Sequence, residues 1–110
     1  MGTLHYGTRS FPIEDRMLAH VQAIVGIKLR RNEQFVMSWT APISVGDGRH
    51  AIWIGTGIPL YFEYAGGREP SLNRAWIETM LEDAARGGGL HLTPENIGGR
   101  QDPDVIGKAG

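Results

Sequence analysis

The sequence predicts one α+β domain in the order ββαβββαβ, with two helices packed on one face of an antiparallel or mixed sheet. Short segments alternate apolar and polar residues, as half-buried strands do, and two longer stretches repeat apolar residues at helical spacing. Both patterns fail after Thr93, where Gly, Pro, Asp and Asn dominate. The domain is therefore drawn over residues 1–93, with 94–110 as a flexible Gly/Pro/Asp-containing tail.

Thr3-Leu-His-Tyr6 and Ser10-Phe-Pro-Ile13 flank Gly7-Thr-Arg9 and read as a hairpin with Leu4, Tyr6, Phe11 and Ile13 inward. Pro12 cannot donate a ladder hydrogen bond, so this second strand belongs at a sheet edge. A helix follows from Glu14 to Arg31. Its start is acidic and its end basic, as the helix dipole favours, and Ile13 and Leu18 stand at hydrophobic-staple positions. Met17, Leu18, Val21, Ile24, Val25 and Leu29 make its apolar stripe. Ala19, Ala23 and Gly26 make a second, small-residue face that suits close packing, inside the domain or against a second copy.

Phe35–Tyr64 holds two of the three tryptophans and the clearest alternation. Phe35, Met37 and Trp39 share one face of the first strand, Ile52 and Ile54 one face of the second, and Leu60, Phe62 and Tyr64 one face of the third. Hairpin signals at Asp47-Gly48 and Gly55-Thr-Gly57 suggest that the three form an antiparallel meander. Ser71 is the expected N-cap of a second helix reaching Arg86, with Trp76, Ile77, Met80, Leu81 and Ala84 buried. Arg74–Glu78 and Glu82–Arg86 are its expected exposed pairs. Gly87-Gly-Gly89 ends it, and Leu90-His-Leu92 is a short closing strand.

Composition narrows function mainly by exclusion. With 11 Lys+Arg against 12 Asp+Glu the net charge is −1, unlike the distinctly basic character usual in DNA-binding domains. The absence of cysteine removes disulfides, thiolate nucleophiles and Cys-based zinc sites, and fits a cytoplasmic location. No apolar run approaches the ~20 residues of a membrane helix, and no signal-peptide pattern opens the chain. The four histidines lack metal-ligand spacing, and no P-loop pattern is present, so neither a metal nor a cofactor is expected.

Several motifs occur in a shared order: Met1-Gly-Thr-Leu-His-Tyr-Gly7, Leu18-Ala-His20, Lys28-Leu-Arg-Arg31, Ser38-Trp39, Gly46-Asp-Gly-Arg49, Ile52-Trp53, Ile58-Pro-Leu60, Asn73-Arg-Ala-Trp76 and Gly87-Gly-Gly-Leu90. In these the chain resembles a family of short uncharacterised actinobacterial proteins of the Microbacteriaceae type, a domain of unknown function. The resemblance covers the chain from about Met1 to Pro94. Members of that family often carry the automatic label "ATP-dependent DNA ligase", and the resemblance implies no established activity. The label conflicts with the residues. Ligases attack the nucleotide with the lysine of K-x-D-G-x-R, whereas here Val45 stands at the lysine position and His50 at the final arginine position. A nucleotidyl-transferase core also needs far more chain.

The candidate sites follow. Asp47, Gly48, Arg49 and His50 form a Gly-rich turn that could cradle an anion, weighed against an ordinary hairpin turn. Lys28, Arg30, Arg31, Arg68 and Arg74 could form a basic surface for nucleic acid or a protein, weighed against solvated helix ends and loops. Ala19, Ala23 and Gly26 are the candidate oligomer face. No catalytic residue is assigned. The leading expectation is a non-catalytic cytoplasmic module that binds itself or another protein, with no membrane partner. A nucleic-acid-associated accessory protein comes second, and a small enzyme using Gly46–Arg49 and His50 third.

Overall fold

The computed structural model describes residues 1–41 and 48–95. The elements run β1 Gly2–Tyr6, β2 Arg9–Ile13, α1 Asp15–Arg30, β3 Phe35–Ala41, β4 Gly48–Ile54, β5 Leu60–Glu63, α2 Arg74–Ala84 and β6 Leu90–His91. This is the expected ββαβββαβ order. Most of the segment assigned to a tail, residues 96–110, lies outside the described residues.

The strands form two three-stranded sheets, ordered β2-β1-β5 and β4-β3-β6. The first is antiparallel throughout; the second is mixed, because β6 runs parallel to β3. The meander is therefore only half formed. β3 and β4 pair as expected, with Met37 opposite Ile52, but β5 crosses to β1 and sets Phe62 opposite Leu4. Alternation fixes which face of a strand is buried and leaves its neighbour open. Leu60 and Phe62 satisfy the same inward pattern beside either strand.

Local signals set most element boundaries. The β1–β2 loop has two residues, Gly7 and Thr8, and Gly7 takes the positive φ of 60° that a II′ hairpin turn needs at its first position. Glu14 is the N-cap of α1, so the staple positions fall on Ile13 and Leu18, and both are buried. A Schellman motif closes α1: Glu33 N–H donates to the Lys28 carbonyl and Asn32 N–H to that of Leu29, at 2.9 and 3.0 Å, with Asn32 at φ 60°. α2 starts later than expected. Its N-cap is Asn73 rather than Ser71, because Asn73 Oδ1 accepts the Trp76 N–H at 3.2 Å. Its expected i,i+4 pairs are replaced by an Arg86–Asp83 pair at 3.2 Å. Gly89, at φ 84°, passes so close to β3 that a Cβ there would strike the Val36 carbonyl.

α1 packs on β1, α2 packs on β3 and β6, and the two helices touch. One core joins both layers: Leu4 and Ile13 from the first sheet, Phe35, Met37, Ile54 and Leu90 from the second, and the inner faces of both helices. Full burial of an aliphatic side chain contributes about 1.5–3 kcal/mol. The completely buried Leu18, Val21 and Ile24 make α1 the main anchor of this core. At the sheet junction Phe11 packs edge-on against Trp39 at 5.1 Å, and the Tyr6 hydroxyl donates to the Trp53 carbonyl at 2.7 Å.

Candidate functional site

The structure separates the candidates of the Gly46–His50 turn. Gly46 and Asp47 lie outside the described residues. Gly48, Arg49 and His50 open β4, where successive side chains take opposite faces. His50 stacks on Trp39 with ring centres 5.4 Å apart and meets Phe11 at 5.6 Å, while Arg49 is exposed across from Thr40. Arg49 and His50 therefore diverge to opposite faces of β4.

The basic candidates also separate. Lys28 is buried rather than on a surface, and its Nζ meets Glu33 Oε1 at 2.9 Å across the end of α1. That hydrogen bond holds the Glu33 carboxyl below its ordinary range. Arg30, Arg31, Arg68 and Arg74 are exposed, on α1's end, a loop and the start of α2.

The small-residue face of α1 divides in two. Gly26 is shaded by the Arg30 guanidinium, which lies 3.9 Å from where a Cβ would stand. Ala19 and Ala23 instead wall a groove of about 590 Å³, with Gln22 on the same helix, Leu60, Tyr61 and Phe62 of β5 opposite, and residues 64–72 at its end. Tyr61 and Leu72 protrude at the rim, 62% and 53% exposed. Two contacts hold this shape. The Tyr64 hydroxyl donates to Gln22 Oε1 at 2.6 Å, and burial pushes its pKa up, which keeps the donor protonated. The Asp15 carboxylate accepts the Gly66 and Ala65 N–H groups at 3.0 and 3.2 Å, and these bonds lower its pKa. The groove is concave, largely apolar and sparsely charged.

Two polar clusters were not legible in the sequence. The first is buried. His20 has no exposed surface; its Nδ1–H donates to the Arg16 carbonyl at 2.7 Å and its Nε2 accepts the Asn73 N–H at 2.8 Å. Both partners have fixed roles, which sets the neutral tautomer. The ring also tilts over Trp76 at 4.4 Å. Beside it the Glu95 carboxylate takes Arg16 Nε and Nη2 at 2.6 and 2.8 Å and Asn73 Nδ2 at 2.8 Å. The Arg16 bond, then the Asn73 bond, outweigh burial and hold the Glu95 carboxyl at about 2. The bond to Glu95 likewise raises the Arg16 pKa. Glu95 belongs by sequence to the tail, yet here it ties the stretch after β6 to α1 and the cap of α2.

The second cluster lies on the outer face of β2-β1-β5. Ser10 Oγ and His5 Nδ1 share a hydrogen bond at 3.0 Å, His5 Nε2–H donates to Glu63 Oε1 at 2.8 Å, and Tyr61 stacks on the imidazole at 5.1 Å. Serine, histidine and glutamate thus stand in a relay, but in water: the Glu63 side chain is 57% exposed. None of the three lines the groove. His91 engages Ser38 at 2.7 Å on the other sheet, so each histidine has its own partners. Among the described residues no three His, Asp or Glu side chains could hold a metal ion.

Residues 1–95 match the model of a protein family described as Domain of unknown function (DUF7882). No curated protein and no solved structure matches the chain.

Proposed function

We propose that this chain, which belongs to the DUF7882 family of domains of unknown function, is a non-catalytic module that binds polypeptide in the groove between α1 and β5. The observation that carries this reading is the groove itself. It is concave, walled by Ala19 and Ala23, and rimmed by the exposed Tyr61 and Leu72. Tyrosine is among the residues that most often anchor protein partners. No helix of the described residues is long and apolar enough to cross a membrane. A cysteine-free chain needs no oxidising compartment, which supports a cytoplasmic setting.

A photo-crosslinking residue at Leu72, in the full chain within host extract, tests the reading. Polypeptide should be captured there and lost when Ala23→Glu fills the groove with charge. Capture that survives Ala23→Glu overturns the reading. Mass spectrometry of the captured species distinguishes a second copy from another protein.

A second reading has its own observation. Arg49, Ala51 and Trp53 line the outer face of β4, and Trp53 is 50% exposed with its indole N–H held by Gln34 Oε1 at 2.7 Å. An exposed indole on the same strand face as an arginine suits stacking of an unpaired base and a phosphate contact. Salt-sensitive binding of single-stranded oligonucleotide, lost in Trp53→Ala, would favour this face over the groove.

A further inference from the structure

We propose that the groove's occupant adds to β5 as an extra strand, so that an extended peptide is held by main-chain hydrogen bonds. This rests on the reading of the groove as a binding site and goes beyond it by naming the mode of recognition.

The four sheet edges carry it. In a strand, the N–H and C=O of one residue point to the same side and alternate along the chain. Gly7 N–H donates to the Pro59 carbonyl at 3.0 Å, which fixes the β1–β5 phase: Tyr61 and Glu63 face β1, and Leu60 and Phe62 face outward. The same logic places Ser10 and Pro12 outward on β2, where Pro12 has no N–H to offer. On β4 the outward Trp53 carbonyl accepts the Tyr6 hydroxyl at 2.7 Å. On β6 the outward His91 N–H donates to Asp83 Oδ2 at 2.8 Å. Each of these edges thus carries one blunting device, although the outward main-chain groups of Ser10, Arg49 and Ala51 have no partner among the described residues.

β5 carries no such device, and it is the edge that lines the groove beside α1. No described residue satisfies the outward N–H and C=O of Leu60 and Phe62, and these two residues line the groove. An unblunted edge beside a helix is the geometry of β-strand addition, in which main-chain bonds give affinity and alternate side chains give specificity. The small Ala19 and Ala23 leave room for bulky apolar side chains at every second position of the added strand.

The occupant is a peptide rather than a second folded copy. A stable protein–protein interface buries about 800 Å² on each partner, and β5 offers an edge of only four residues. A two-fold contact would also set one concave groove against another and leave both unfilled.

Random decapeptides displayed and selected against the full chain provide the probe. Selected peptides should carry apolar residues at alternate positions. They should slow hydrogen exchange at the Leu60 and Phe62 amides while Arg49 and Ala51 stay unchanged. N-methylation of the peptide should then alternate in effect, lowering affinity about tenfold at every second residue and little between, since each loss leaves a partner unsatisfied. A uniform N-methyl scan, protection elsewhere, failure to select any binder, or concentration-dependent protection of Phe62 without peptide would each overturn the proposal. Capture at Leu72 together with a uniform scan would leave the binding module standing and remove strand addition alone.

Discussion

His20 and His5 each use both ring nitrogens and each sits against an aromatic ring, yet they stand in opposite surroundings. His20 is fully buried between the Arg16 carbonyl and the Asn73 N–H. His5 lies on an open sheet face between Ser10 and the exposed Glu63. Composition would rank the Ser–His–Glu set as the site and the lone histidine as scaffold filler. Burial reverses that order for stability: a buried polar group left unpaired costs far more than one that water can satisfy.

The contrast breaks most directly at His20. His20→Ala removes the ring from Trp76 and orphans the Asn73 N–H, and should cost about 3 kcal/mol of unfolding free energy in urea titration. Loss below about 1 kcal/mol would mean that water replaces the ring, and the two clusters would no longer differ in kind.

Glu95→Gln should cost about 2 kcal/mol, because charge-assisted bonds to Arg16 and Asn73 are weakened within a shielded site. A double-mutant cycle with Arg16→Ala should show positive coupling. Independent effects would mean that the clamp is not a network.

Acid titration sharpens the same point. The Glu95 carboxyl is held at about 2 against an ordinary 4.5, so its stabilisation is present above 4.5 and fades as pH falls toward 2. The stability gap between wild type and Glu95→Gln should therefore narrow over that window. A gap that does not depend on pH would show that the lost bonds, rather than the charge, matter.

The smallest effect is expected at the other pole. His5→Ala or Ser10→Ala should change stability by no more than about 0.5 kcal/mol, as exposed substitutions do. A larger loss at His5 would mean that its stacking on Tyr61 shapes the groove rim.

Much of the fold was legible because its signals are local. Glu14 through Arg31 carry a stripe, a staple and terminal charges, and α1 follows them nearly residue for residue. Pro12 announced an edge strand because a missing donor has no other place in a sheet. The groove was not legible. Ala19 and Ala23 marked a face for close packing, and the sequence could not say that β5 would stand across a groove from them. For His20 the available hint was its place one residue before Val21 on the buried stripe. No spacing pointed to Asn73 or Glu95 as its neighbours.

By itself, then, the sequence determined the elements, their inward faces and the absence of cysteine chemistry, since each follows from residues within a turn or two of one another. The tertiary structure decided which strands neighbour which, what His20 does, and which edge lines the groove. Those outcomes depend on contacts such as Arg16 with Glu95, 79 residues apart, where the chain must fold before either charge meets its partner. β5 could satisfy its alternation beside β4 or β1. Pairing with β1 set its free edge beside the small residues of α1 and so created the groove.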